Sequence, residues 1–377
     1  MAVWIHGGAY LTGSACDPGF FPHQICAEQD VVNVTIQYRL GALGCVDFSG
    51  LSGAKGRFDA NCGTWDQVAA VNWVMENIEA FGGNPKEITL MGGSAGGTSV
   101  LTLITTPYLK GKIRQAVMES PAPWLPLDKG GWTSWRAEGS GGGSGLGEDE
   151  VQKILDIPAD RLAEATNAAE YKYYAYRPYT IPTGPVVDGD LIPELPFDAV
   201  MHGAADEVDV LIGSTADEAT LFANPKLPNL FPIREQELEH FFKDHPEAKK
   251  EQILALYPDY PDIKAFQEIG KEMFFHAGIL GWRNIWRSTQ MSMSIALPTP
   301  HRYCGCWEWE QYTASIHLCS QESFGVSWDG LPGGRTKPSA DSFRLSGAAF
   351  SAPEIPVWRA IPPGRLTVRR RTHILSM

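Results

Sequence analysis

The chain has 377 residues and a formal net charge of −13, a balance without the basic footprint that nucleic-acid binding requires and one that disfavours an anionic membrane surface. No apolar run reaches the length of a membrane span, and seven scattered cysteines show no metal-binding spacing. The length is enough for a large core in a single open α/β unit.

The first predicted strand covers 2–6 and runs into His6-Gly7-Gly8-Ala9-Tyr10. Further strands are predicted at 31–38, 87–91 and 113–118, each a near-continuous apolar run of the kind buried on both faces of a parallel sheet. Between them a helix is predicted over 65–78, with Thr64 as its cap and Gln67 completing a capping box. Its Val68, Val71, Met75 and Ile78 recur at helical spacing and are expected to face the sheet. A Gly/Ser-rich stretch at 139–147 reads as a flexible loop within the domain. Helices follow at 148–157 and 159–168, a strand at 208–213, helical stretches at 233–257 and 261–290, and an aromatic strand at 302–309. Strands alternating with helices predict an α/β fold, a mostly parallel sheet with helices on both faces.

The most informative stretch is the strand Ile88–Met91 followed by Gly92-Gly93-Ser94-Ala95-Gly96. A strand entering Gly-x-Ser-x-Gly and leaving as a helix is the nucleophile elbow, whose turn is too sharp for side chains on its inner side. Ser94 is thus the candidate nucleophile, next to the positive end of a helix dipole. Acyl transfer by a serine also needs a base, a group to orient the base, and donors for the oxyanion. The N–H groups of Gly7, Gly8 and Ala95 are the candidate oxyanion hole.

These blocks resemble the type-B carboxylesterase/lipase family, the cholinesterase-like branch of the α/β-hydrolases. The resemblance runs from residue 3 to about 310 and is carried by Val3–Tyr10, Val34–Gly41, Thr64-Trp65-Asp66-Gln67 through Asn77-Ile78, and Phe81-Gly82-Gly83-Asn84-Pro85 leading into Ser94. Gly184–Gly189 and Leu211-Ile212-Gly213 to Asp217-Glu218 match later blocks. It implies an α/β-hydrolase fold, a small-molecule carboxylic ester as substrate, no metal or organic cofactor, and Glu218 rather than Asp217 as the acid. The order Ser, then acid, then His also fits this fold. Gly93 stands where the family usually has Glu. The chain opens well downstream of the family's usual start, so the strand at 31–38 is expected at an exposed sheet edge, an aggregation hazard.

The base must follow Glu218, which leaves His240, His245, His276, His301, His317 and His373. The first three fall in predicted helices and His301 precedes the predicted strand at 302–309. A base on a loop just after that strand favours His317. The stretch Gly347–Pro356 is similar to the family's histidine loop but holds no histidine. Beyond residue 310 no period is evident, and four acidic residues face eight basic ones. The expected organisation is a hydrolase domain over 1–310 and a poorly structured region over 311–377. Met1 leads directly into a core strand, so no signal peptide is read and a cytoplasmic location is the default, although the family is often secreted. Two readings follow: a serine carboxylesterase, or an esterase fold without its base that acts by binding.

Overall fold

The computed structural model describes residues 1–17, 22–49, 56–122, 148–176, 183–215, 218, 235–244, 250–276, 279, 293–297 and 372–376. Among the described residues, seven strands form one sheet: β1 (Ala2–Ile5), β2 (Asn33–Ile36), β3 (Thr89–Gly93), β4 (Gln115–Glu119), β5 (Asp209–Gly213), β6 (Met293–Leu297) and β7 (Thr372–Ser376). Their order is β2-β1-β3-β4-β5-β6-β7 and every pairing is parallel. In a parallel sheet all strands end on the same side, and the loops beyond those ends build the ligand crevice. Gly7, Ser94, Ser120 and Thr215 all stand just beyond strand ends on that side.

The helices are α1 (His23–Gln29), α2 (Gly41–Gly44), α3 (Cys62–Asn77), α4 (Ala95–Thr105), α5 (Glu148–Asp156), α6 (Ala159–Tyr176), α7 (Pro196–Met201), α8 (Glu235–Asp244), α9 (Lys250–Leu254) and α10 (Ile263–Lys271), the last continuing as a π-helical turn over Glu272–His276. Strand β1 is buried throughout, as its apolar run requires. Val68, Val71 and Ile78 enter the main core with Ile5, Leu90, Leu101 and Met118, and Met75 packs against it half-buried. A second, smaller apolar cluster joins Leu238, Phe242, Ile269, Phe274 and Phe275.

Helix α3 begins earlier than its sequence signals. Its N-cap is Asn61, in the left-handed region at φ 57°, and Thr64 and Gln67 are buried inside the helix. Asn tolerates that conformation, and here its amide bonds across the chain. Asn61 Nδ2 donates to Val186 O at 2.8 Å, and Val186 N donates back to Asn61 Oδ1 at 2.8 Å. A tertiary contact thus outweighs the local capping box. Gln67 instead donates to Ser99 Oγ of α4 at 3.0 Å.

Strand β2 is the outermost strand on its side among the described residues, but it is only four residues long, and Asn33, Val34 and Thr35 are half-buried. The edge is therefore shorter and better covered than its apolar run suggests. Strand β7 forms at Thr372–Ser376, where the sequence has no period, and pairs with β6. Beyond His276, few residues of the helical stretch predicted over 261–290 are described, and the loop at 139–147 and the strand at 302–309 lie outside the described residues.

Helix α4 is buried along its whole length, which brings its first turn against the sheet. A Cβ added at Gly96 would lie 2.1 Å from Ile5 O, and one at Gly92 would lie 2.5 Å from Gly96 C and O. Gly96→Ala must push α4 off the sheet and is expected to cost about 3 kcal/mol. Urea denaturation would read this as a lower midpoint at unchanged slope; an unchanged midpoint would mean that α4 is free to shift.

Candidate active site

Ser94 stands between β3 and α4 at φ 55°, ψ −123°. A non-glycine residue at positive φ costs roughly 1–3 kcal/mol and persists only where its surroundings over-determine it. Ser94 N donates to Glu119 O at 2.8 Å, Thr98 N donates to Ser94 O at 3.0 Å, and the glycines on either side let strand and helix close to contact. The residue is exposed while Ala95 beside it is buried. Its hydroxyl thus faces open space at the N-terminus of α4, where the helix dipole favours developing negative charge.

The loop after β1 lies against this turn. A Cβ at Gly7 would be 2.6 Å from Gly93 O and 3.2 Å from Ser94 Cβ, so only glycine fits. The chain then reverses through three successive residues at positive φ, Gly8, Ala9 and Tyr10. Leu11 N and Thr12 N both donate to Gly8 O at 3.0 Å and close the turn. Among the described residues, none accepts from the N–H groups of Gly8 or Ala95.

His6, which the sequence left without a role, supports this loop. Its imidazole is buried and stacks on Tyr38 with ring centroids 4.5 Å apart. Burial pushes its pKa down and keeps it neutral. Gln37 Oε1 accepts from Ala15 N at 2.9 Å, so the Gln37 amide N–H is directed at His6 Nε2, 3.3 Å away. The His6 proton then sits on Nδ1 and donates to Gly7 O at 2.8 Å. Tyr38 OH donates to His6 O at 2.9 Å. Behind the loop, Tyr10 OH, Ser99 Oγ and Gln67 form a buried chain of hydrogen bonds that ties the turn to α4 and α3.

Glu218 follows β5. Its Oε1 accepts from Ser120 Oγ at 2.5 Å and from Thr215 N at 2.6 Å. Desolvation dominates its electrostatics and raises its pKa above the ordinary carboxylate value, although these two donors and the charge of His276 pull the other way. Ser120 was not singled out from the sequence. It sits on the turn after β4 at φ 47°, and its N donates to Gly213 O at 2.7 Å, which binds the ends of β4 and β5 together. Its position just past a parallel strand end was the available signal. Gly93, where the family usually has Glu, is opposite Glu119 in register, and a Cβ there would lie 3.9 Å from Glu119 Oε2. A carboxylate therefore does lie beside the Ser94 turn, supplied by the neighbouring strand.

His276 reaches the same loop: its Nε2 lies 3.1 Å from Thr215 O and its Nδ1 lies 3.6 Å from Glu272 Oε1. Ser94 Oγ makes no hydrogen bond to any described side chain. His317, favoured as the base from the sequence, lies outside the described residues, as do His245 and His301; His240 is on α8 and His373 is on β7. No cluster of metal-ligating side chains occurs among the described residues, and no described helix is long and apolar enough to cross a membrane.

A parallel sheet with a strained serine between strand and helix, a glycine loop against it and a carboxylate two strands away defines an α/β-hydrolase. The chain belongs to the carboxylesterase family, whose model matches residues 1–275. Para-nitrobenzyl esterase of Bacillus subtilis (strain 168) is 34% identical over 232 residues, 60% of this chain and 45% of that protein. Cholinesterase of Mus musculus is 31% identical over 275 residues, 69% of this chain and 44% of that protein. The chain thus spans less than half the length of these relatives. Among solved structures, a Geobacillus stearothermophilus carboxylesterase superposes with a TM-score of 0.71 at 26% identity, covering 100% of this chain and 78% of that one.

The raised pKa of Glu218 has a thermodynamic consequence. A group whose folded pKa exceeds its unfolded value contributes stability below the unfolded pKa and loses it as pH rises through the folded pKa. Glu218→Gln keeps an acceptor for Ser120 and Thr215 but carries no charge to desolvate. Relative to wild type, the Gln variant is expected to gain thermal stability between about pH 4 and pH 7. A relative loss over that range would mean that the two donors outweigh desolvation.

Proposed function

We propose that the chain is a serine carboxylesterase acting on small, uncharged carboxylic esters. Ser94 Oγ attacks the ester carbonyl carbon while a histidine takes its proton. The carbonyl oxygen becomes an oxyanion and accepts from the N–H groups of Gly7, Gly8 and Ala95, the donors read from the sequence; loss of one such donor typically costs roughly 3 kcal/mol of transition-state stabilisation. The C–O bond to the alcohol breaks, the histidine returns its proton to the leaving oxygen, and an acyl-Ser94 ester remains. Water then attacks that ester by the same route, freeing the carboxylic acid and restoring Ser94. Glu218 orients the histidine and stabilises it while it is charged. His317 is the histidine the sequence favours for this role, and no cofactor enters any step.

One observation carries this reading. Ser94 occupies a strained backbone conformation, exposed and with its hydroxyl unbonded among the described residues, at the start of a buried helix. A serine with only a structural task has no reason to be held there. The relatives, a para-nitrobenzyl esterase and a cholinesterase, agree with it.

The test is labelling by a fluorophosphonate, read by intact mass. Stoichiometric addition that disappears in Ser94→Ala is expected. Because triad members act as a unit, a chain without its base would label slower by a factor on the order of 10⁶. A folded sample that stays unlabelled would remove the esterase reading and leave a protein that binds without turnover.

A further inference from the structure

The π-helical turn Glu272–His276 buries Phe274 and Phe275 in the smaller apolar cluster and leaves His276 half-buried against the loop after β5. Single π turns inside helices recur at functional sites. His276 Nε2 lies 3.1 Å from Thr215 O, and Thr215 N donates to Glu218 Oε1 at 2.6 Å. One residue, Thr215, therefore joins the imidazole to the acid through its two backbone polar groups. The other imidazole nitrogen faces Glu272 Oε1 at 3.6 Å.

We propose that His276 is a positioning residue for Glu218, holding the acid's loop through Thr215 and placing an imidazole on the side of the loop opposite Ser120. The proposal rests on the esterase reading for its effect on turnover, but its effect on the loop stands without it.

The charged groups facing His276 are Glu272 and Lys271 on its own helical segment and Glu218 on the loop after β5. Lys271 is ion-paired with Glu268, and Glu272 also faces Tyr257. Burial alone would lower the pKa of His276, but the Glu272 carboxylate and the Thr215 carbonyl outweigh it and hold it above its ordinary value. Glu272 is correspondingly pushed down, chiefly by its close approach to His276. His276 therefore holds its proton to higher pH than an unperturbed imidazole, and its charge lowers the pKa of Glu218 against the larger desolvation that raises it. A residue serving only to pack the end of α10 would hold the helix without moving the titration of Glu218.

His276→Gln and His276→Ala separate the two parts of the role. Gln has an N–H that can reach Thr215 O but carries no charge; Ala has neither. Two measurements on the full chain are needed: hydrogen exchange of the peptide covering 211–221, and the rate of fluorophosphonate labelling between about pH 5 and pH 9.

His276→Ala is expected to raise exchange at 214–218 by roughly tenfold and to move the acid limb of labelling up by about half a pH unit or more. His276→Gln should restore much of the protection yet keep the shifted limb. Exchange equal to wild type in His276→Ala, or an acid limb unmoved in both variants, would overturn the proposal. Should His276→Ala fail to fold, Glu272→Gln removes only the ion-pair partner and must move the limb in the same direction by a smaller amount. A wild-type chain that does not label would sink the esterase reading, and exchange alone would then decide whether His276 holds the loop.

Discussion

The structure depends on one close approach, that of the first turn of α4 to the ends of β1 and β3. Gly92 meets Gly96 and Gly96 meets Ile5 at distances no side chain allows, and Gly7 fits against Gly93 and Ser94 for the same reason. Because these backbones touch, Ser94 is forced into a conformation it would not choose, and its hydroxyl is turned outward. The same contacts bring the β1 loop close to Ser94. The turn at Ser94 and the glycine loop after β1 are therefore a single packing event, and the wholly buried α4 supplies the apolar energy that holds it.

The polar parts of the site are coupled in sequence along the strand ends. Tyr38 and Gln37 after β2 hold His6, and His6 holds Gly7. Glu119 at the end of β4 accepts from Ser94 N, and Ser120 next to it donates to Glu218. Thr215 after β5 bonds Glu218 on one side and His276 on the other. Each group borrows its position from a neighbouring strand, so parallel register is what aligns the chemistry. The cost is a carboxylate placed where desolvation opposes its charge, offset in part by hydroxyl, amide and imidazolium partners.

Much of this was legible because it is local. Gly-x-Ser-x-Gly after an apolar run specifies an elbow by steric necessity, and Gly7-Gly8 after another such run specifies a loop that can approach it. Other features were hidden because they arise between distant segments. Asn61, at the N-cap position of α3, is held by Val186 far along the chain, while the apparent capping box at Thr64 and Gln67 is absorbed into the helix interior. Ser120 carries no motif, and its value comes from standing beside Gly213 across the sheet. His276 reads as an ordinary helical histidine until the π turn brings it against Thr215.

By itself the sequence determined the class of the chain and the strand–turn–helix that carries Ser94, since these follow from turn sterics and hydrophobic period within short windows. Only the tertiary structure decided which groups surround Glu218, how the neutral His6 orients the glycine loop, and that the carboxylate beside Gly93 comes from Glu119. Those contacts join residues on separate strands, where strand register and helix packing set every distance and no local pattern records the partner.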